Sequence, residues 1–124
     1  MRYSLTRNTI GGENIYPAEI EERLIEHDAI AEASVVAIKD EKYGEVVGAF
    51  LRQNSDGKRP ELEEVRAWVR QAMGSHKAPS YLFWIGDPGV GEDYPKTGSG
   101  KHQKHILRAI SEKLLDSQQP KAKL

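Results

Sequence analysis

The chain has 124 residues, of which 38% are apolar and 30% are charged, and its net charge at pH 7 is −1. This composition is typical of one soluble globular domain with a single modest core, and it differs from that of a disordered chain. Cysteine is absent, which excludes disulfides and thiolate chemistry. No apolar run approaches the ~18 residues of a membrane span, and the first ten residues contain no apolar stretch of the signal-peptide type.

The first predicted element is a helix in YPAEIEERLIEHD. Pro17 suits the first helical position, and Ile20, Leu24 and His27 recur at helical spacing. Two strands follow, AIAEASVVAI and VVGAFLR, because β-branched residues dominate the first and a short turn, KDEKYGE, separates them. These strands are expected to pair as a hairpin.

The second half of the chain begins with a polar loop, QNSDGKRP, and a helix in ELEEVRAWVRQAMGSH. The helix has an apolar stripe formed by Leu62, Val65, Val69 and Met73. YLFWIG is predicted to be a third strand, and DPGVGEDYPKTGSG a loop rich in glycine and proline. A last helix is marked by four apolar residues, Ile106, Leu107, Ile110 and Leu114. Residues 116–124 are expected to form a flexible tail.

The predicted order of elements, α-β-β-α-β-α, indicates an α+β fold. We expect a small two-layer domain in which helices pack on a three-stranded sheet. Residues 1–10 fit this scheme less well, although Tyr3, Leu5 and Ile10 suggest a short strand.

Charge is unevenly distributed along the chain. Residues 13–64 contain fourteen acidic and six basic residues, a net −8, whereas residues 96–124 contain seven basic and two acidic residues, a net +5. The basic part is compatible with a surface that meets anions, and equally with helices whose charged faces are solvated. Nucleic acid is disfavoured as a partner, because the pI is near 6.4 and no basic run is interleaved with aromatic residues.

The segment PKTGSGKHQKH looks like a phosphate-binding loop but fails the Walker pattern at two positions. A proline occupies the place of the first glycine, and His102 occupies the place of the hydroxyl that binds magnesium. The segment still presents a long cation, because Gly98 and Gly100 flank Ser99 just before Lys101. Two interpretations stay open from these residues: Lys101 enters another surface as a mobile charge, or it is a solvated lysine in a linker.

A second stretch, GGENIYPAEIE, places Gly11 and Gly12 directly before the first helix. Adjacent glycines leave backbone amides free and let a ligand approach the main chain. A tight turn that enters the helix explains the pair equally well.

Three stretches together resemble the C-terminal domain of the adenylate-forming acyl-CoA synthetases. They are GGENIYPAEIEERLIEHDAIAEASVVAIKDEKYGEVVGAF, AMGSHKAPSYLFWIGD and YPKTGSGKHQKHILRAI, and the resemblance covers about residues 11–110 in matching order and spacing. It implies that residues 11–115 form this domain, after an uncertain segment at residues 1–10 that is a hinge remnant or foreign to the domain. In that family, ATP and Mg²⁺ activate a carboxylic acid, pyrophosphate leaves, and the thiol of coenzyme A attacks the acyl-adenylate.

The resemblance also implies roles for particular residues. Lys101 matches the lysine that enters the active site for adenylation, where an ammonium stabilises charge on the α-phosphate. Gly98, Ser99 and Gly100 would position that lysine. In a second pose of the domain, Gly12 would line the pantetheine channel of coenzyme A.

Glu13 and Asn14 would lie beside Gly12 in that channel. The basic C-terminal charge is compatible with contact to the phosphates of coenzyme A. A carrier-protein phosphopantetheine is an alternative acceptor, because it presents the same arm as free coenzyme A.

Two departures from the family pattern affect what the chain is expected to do. The family has an arginine before the two glycines and a hinge of the type D/G-R-x-K-D, whereas Ile10 stands before Gly11 and MRYSLTRN contains no such hinge. The large N-terminal domain that holds ATP and the acid is also absent. The resemblance implies that the chain is the mobile lid of such an enzyme. By itself it is therefore expected to be inactive and to bind no cofactor, and it would need that domain as its partner. The alternative is a free-standing protein-interaction or regulatory domain derived from such an enzyme.

Two short motifs complete the sequence predictions. Ala122, Lys123 and Leu124 have the small-basic-leucine form of the S-K-L address, which predicts a peroxisomal matrix protein that binds the import receptor, and otherwise a cytoplasmic one. His102 and His105 have a spacing compatible with zinc, but they lack carboxylate or thiolate companions. Exposed histidines at a helix start are the preferred interpretation, and no metal site is expected.

Overall fold

The computed structural model describes residues 8–10, 13–54 and 58–118. In chain order its elements are β1 (Asn8–Ile10), β2 (Glu13–Ile15), α1 (Pro17–Ile25), β3 (Ile30–Asp40), β4 (Gly44–Gln53), α2 (Leu62–Met73), a short 3₁₀ helix (Ser75–Lys77), β5 (Tyr81–Trp84) and α3 (Lys104–Gln118). The predicted α+β class, the three-stranded sheet and the order α-β-β-α-β-α are confirmed. Within these described ranges, no helix is long and apolar enough to cross a bilayer.

The helices form where their apolar residues recur once per turn. In α1, Pro17 occupies the first turn, and Ile20 and Leu24 are completely buried. In α2, Val65 and Val69 are completely buried, but Leu62 at its first residue is 39% exposed, so the predicted stripe is shorter than expected.

The main sheet has the order β3-β4-β5. Strands β3 and β4 form the predicted antiparallel hairpin, in which Val35 lies opposite Ala49. Strand β5 pairs with β4 in the parallel direction, with Gly48 opposite Tyr81. The central strand is consequently β4, and all its residues at positions 46–51 are buried.

Both faces of this sheet are covered, because side chains alternate between the two faces of a strand. One face packs against α1 and α2, and its core includes Val35, Val47, Leu51 and Trp84 together with Ile20, Leu24, Val65 and Val69. The opposite face packs against α3 and the loop before it, and its core includes Val36, Ile38, Phe50 and Phe83 together with Val90, Tyr94 and Leu107. The structure therefore adds a third layer to the predicted two-layer arrangement.

A small hairpin precedes α1. Strands β1 and β2 pair antiparallel, with Thr9 opposite Asn14. A tight turn into the helix was one of the two interpretations of Gly11 and Gly12, which lie outside the described residues. Of the short strand suggested at the N-terminus, Ile10 lies in β1, whereas Tyr3 and Leu5 are also outside the described residues. At the other end of the chain, α3 continues to Gln118, which is three residues into the segment predicted to be a tail.

Two core residues bracket the loop that contains Lys101. Tyr94 is 4% exposed and Leu107 is completely buried, and both belong to the core on the α3 face of the sheet. Complete burial of a large apolar side chain is worth about 1.5–3 kcal/mol. The twelve residues between Tyr94 and Leu107 are consequently attached to the core at both ends.

Candidate functional site

The segment from Pro95 to Gln103 forms a closed loop. Its two legs meet in an antiparallel bridge between Lys96 and His102. The backbone N–H of Gln103 donates to the carbonyl of Pro95 at 2.7 Å, and the N–H of Thr97 donates to the carbonyl of Lys101 at 2.8 Å. This segment is therefore a hairpin-like turn and not an open linker.

The tip of the loop is held by hydrogen bonds among its own residues. The backbone N–H of Gly100 donates to the carbonyl of Thr97 at 2.9 Å, and that of Lys101 donates to the hydroxyl of Thr97 at 3.2 Å. The same hydroxyl lies 3.0 Å from that of Ser99. Gly100 has φ +90°, which side-chain-bearing residues rarely adopt, whereas Gly98 has no positive φ. The backbone at Gly100 thus requires glycine.

Lys101 projects from this turn into solvent. Its backbone N–H and carbonyl are both bonded to Thr97, but its ammonium has no hydrogen-bond or ion-pair partner among the residues that the structure describes. An exposed ammonium on an anchored backbone is available to meet an anion from another domain or molecule.

The base of the loop is tied to Glu32 on β3. His102 Nε2 lies 3.1 Å from Glu32 Oε2, and Lys96 Nζ lies 3.6 Å from the same oxygen. Arg52 Nε donates to the other oxygen at 3.0 Å, and the guanidinium also pairs with Asp93. One carboxylate therefore contacts both legs of the loop and strand β4.

These contacts change the acidity of the groups in the cluster. Burial tends to raise the pKa of Glu32, but hydrogen bonds from Arg52 and His102 and the charge of Lys96 hold it below its ordinary value. A hydrogen bond from the backbone N–H of Tyr94 lowers the pKa of the Asp93 carboxyl. The hydrogen bond to Glu32 raises the pKa of Arg52. Glu32 is consequently ionised at neutral pH. Because an ionised carboxylate only accepts, His102 Nε2 carries the shared proton.

Tyr94 contacts the base of the loop through its ring and the sheet through its hydroxyl. Its ring stacks on that of His102, with centroids 4.2 Å apart and planes 13° from parallel. Its hydroxyl lies 2.9 Å from the carbonyl oxygen of Phe50 and 3.1 Å from that of Glu32. Burial raises the pKa of Tyr94 well above its ordinary value, so the hydroxyl remains a donor.

A second polar cluster fixes the start of α3. Lys104 Nζ pairs with Glu21 of α1 and donates to the carbonyl of Val35 at 2.8 Å. The N–H of Val35 donates to the same Glu21 carboxylate at 2.8 Å. The outward-facing N–H and carbonyl of Val35 on β3 are thereby bonded to one residue from α1 and one from α3.

The residues singled out in the sequence fall into two groups. Gly98, Ser99, Gly100 and Lys101 lie together in the closed loop. Glu13 and Asn14 lie in β2, whereas Gly12 and the tripeptide at positions 122–124 are outside the described residues.

The structure corrects the prediction for one histidine. His102 was expected to be an exposed residue at the helix start, but its side chain is only 17% exposed and it precedes α3. His105 is exposed, as predicted. In the described part of the chain, no group of three or more His, Cys, Asp or Glu residues is arranged to hold a metal ion.

Sequence reasoning missed the cluster around the loop base, formed by Glu32, Arg52, Asp93 and Tyr94. Glu32 and Arg52 lie on different strands of the sheet, far from the loop in sequence. The one available signal was Tyr94, an aromatic residue in an otherwise polar stretch.

The fold and loop define a small α+β domain with an anchored glycine-containing turn, from which Lys101 presents an ammonium that has no partner within the described ranges. The family described as the AMP-binding enzyme C-terminal domain matches residues 19–101. The chain therefore belongs to this family, as its resemblance to the adenylate-forming acyl-CoA synthetases implied.

Individual relatives agree with this assignment. An acyl-CoA ligase of Penicillium expansum is 61% identical over 105 residues, which is 85% of this chain and 22% of that protein. An acyl-CoA synthetase structure from Brucella canis has a TM-score of 0.74 at 31% identity, over 86% of this chain and 19% of that one. The o-succinylbenzoate CoA synthetase of Bacillus subtilis, solved with its acyl-adenylate intermediate, has a TM-score of 0.72 at 31% identity. The match covers 84% of this chain and 20% of that one. The chain spans about one fifth of the length of these relatives.

The cluster at Glu32 predicts a pH-dependent contribution to stability. Replacing Glu32 with Gln should lower the free energy of unfolding by about 1 kcal/mol at pH 7, since charged hydrogen bonds are lost at a partly exposed site. Because the folded-state pKa lies below the ordinary value of 4.5, the contribution is fully present above pH 4.5 and disappears as the pH falls through the folded value. Urea unfolding at pH 7, 5 and 3 measures this, with Glu112→Gln on the exposed side of α3 as the control. A difference of equal size at every pH would contradict the assignment.

Proposed function

We propose that this chain is the mobile lid domain of an ATP-dependent acyl- or aryl-CoA synthetase, and that Lys101 serves its adenylation step. The observation that carries the proposal is the exposed ammonium of Lys101, which has no partner in the described part of the chain while the backbone beneath it is fixed. Family membership supports the same role. The lid would act with a larger N-terminal domain that holds ATP and the carboxylic acid, and it would be inactive without that domain.

The chemistry of adenylation explains the need for a lysine. An oxygen of the carboxylate attacks the α-phosphorus of ATP, the bond to pyrophosphate breaks, and an acyl-adenylate and pyrophosphate result. Two anions, the carboxylate and the triphosphate, approach each other in this step. Negative charge then builds up on the oxygens of the α-phosphate. An ammonium delivered to a site from which water is excluded stabilises that charge more strongly than it could in water.

Mg²⁺ would accompany ATP on the other domain. Among the described residues no cluster of acidic or histidine side chains is arranged to hold a metal ion, so we assign none of them to magnesium. The contribution of this chain to adenylation would be the single charge of Lys101, positioned by the turn that contains Gly98, Ser99 and Gly100.

In the second half-reaction the same domain would present a different surface. We propose that the domain rotates and that Gly12, with Glu13 and Asn14 beside it, lines the passage for the pantetheine arm. The thiol of coenzyme A, or of a carrier-protein phosphopantetheine, attacks the acyl carbonyl and AMP leaves. A position without a Cβ suits a narrow passage, since the arm can then run close to the main chain.

The role of Lys101 predicts a selective loss. In the full-length enzyme, Lys101→Ala should reduce acyl-adenylate formation by about 10²–10³-fold, because one donor to the developing charge is removed. Conversion of supplied acyl-adenylate to the thioester should be unchanged. Pyrophosphate exchange and thioester formation measure the two steps separately, and Lys113→Ala, an exposed lysine of α3, is the control. Equal loss in both steps would remove Lys101 from adenylation.

The role of Gly12 predicts the opposite pattern. Gly12→Val should reduce thioester formation from supplied acyl-adenylate by roughly 10²-fold, since obstruction of the passage misplaces the thiol. Adenylate formation should stay within a factor of about two, because the passage is not used in that step. A variant with an unaffected second step would show that Gly12 does not line the passage.

The peroxisomal address stays a prediction, which we propose to test directly. Residues Ala122, Lys123 and Leu124 have the form read by the import receptor. A fluorescent protein that ends in residues 116–124 should accumulate in peroxisomes, whereas the same fusion with Lys123→Glu should remain diffuse. A diffuse signal for the native tail would refute the address.

A further inference from the structure

Both legs of the Lys101 loop are attached to the same side chain. Glu32 Oε2 lies 3.1 Å from His102 Nε2 on one leg and 3.6 Å from Lys96 Nζ on the other. At the tip, residues 97–101, in contrast, form hydrogen bonds only with one another, as far as the described residues extend. The direction in which the tip points is therefore set at the loop base.

His102 is the residue through which this attachment reaches Lys101. It follows Lys101 directly in the chain, and its ring is held on two sides. Tyr94 stacks against the face of the ring, and Glu32 accepts the proton on Nε2. A displacement of the His102 ring would move the backbone to which Lys101 is joined.

The partners of His102 are themselves fixed. The hydroxyl of Tyr94 is within hydrogen-bond distance of two backbone carbonyls, those of Phe50 and Glu32, and its ring is buried. Arg52 holds the second oxygen of Glu32 at 3.0 Å. The sheet therefore determines the position of the His102 ring through two side chains that cannot easily turn.

We propose that Glu32, Tyr94 and His102, the loop anchor, are positioning residues that aim Lys101 in the adenylation step. The inference rests on the proposed function of Lys101 and adds the residues through which the fold controls it. Displacement of a reacting or stabilising group by 1 Å can cost about 10²-fold in rate. Loosening the anchor should accordingly reduce adenylation without any loss of the ammonium itself.

The test uses His102→Phe in the full-length enzyme. Phenylalanine keeps a flat ring that can stack on Tyr94, but it cannot donate to Glu32. Adenylate formation should fall about tenfold at saturating ATP and acid, because Lys101 is still present but points in a different direction. The KM for ATP should stay within about a factor of two of that of the unmodified enzyme. Thioester formation from supplied acyl-adenylate should be unchanged. His105→Phe, at an exposed position of α3, is the matched control and should leave both steps unaffected.

A double variant separates positioning from general weakening of the structure. If the anchor acts through Lys101, adding His102→Phe to Lys101→Ala should reduce the residual adenylation by no more than about twofold, because non-additive effects mark residues that act as a unit. Glu32→Gln, which keeps the shape of the side chain but removes its charge, should follow the same pattern. A further tenfold fall in the double variant would overturn the proposal.

The outcomes also distinguish this inference from the function on which it rests. If Lys101→Ala leaves adenylation intact, the role of Lys101 fails and the anchor has nothing to aim. If Lys101→Ala is inactive in adenylation but His102→Phe and Glu32→Gln are fully active, only the anchor is overturned. Equal loss of both half-reactions in His102→Phe would likewise contradict a positioning role, since it would indicate damage to the domain as a whole.

Discussion

The burial of β4 on both of its faces is the constraint on which the rest of the domain depends. Every residue at positions 46–51 is buried, and because side chains alternate across a strand, the chain must cover both sides of the sheet. Helices α1 and α2 cover one side. On the other side, α3 and the loop before it contribute Leu107 and Tyr94 to the core. The segment that contains Lys101 runs between these two residues, so the packing of the core also determines where the lysine emerges.

Core packing locates the loop, and the polar cluster at its base orients it. Single ion pairs at a surface contribute little to stability, typically about 0–1 kcal/mol. Glu32 differs from such a pair because its two oxygens bind groups from β4 and from both legs of the loop, so that several weak contacts restrict the same backbone. The stacked ring of His102 adds a contact that does not depend on salt. The result is an exposed charge on a backbone with little freedom to turn.

This arrangement suits a charge that must act on another domain. The polar groups around the loop base have partners within the chain, whereas the ammonium of Lys101 has none among the described residues. Under the proposed function, its partner is the phosphate of ATP held elsewhere in the enzyme. A pre-oriented lysine loses less conformational freedom when the lid closes, which favours the closed state without new contacts.

The sequence by itself determined the three main helices, the strands of the main sheet, the family and the lysine of the glycine-containing loop. Apolar residues at helical spacing, such as Ile20 with Leu24 and Val65 with Val69, predicted the helices, and three motifs in the expected order identified the family. The tertiary structure alone decided that α3 lies on the opposite face from α1 and α2, that β5 runs parallel to β4, and that Glu32 meets His102 from 70 positions away. The physical reason is that periodicity shows which side of an element is apolar but not which other element will cover it. Contacts between distant polar residues such as Glu32 and His102 are defined only after the sheet has assembled and its faces have been filled.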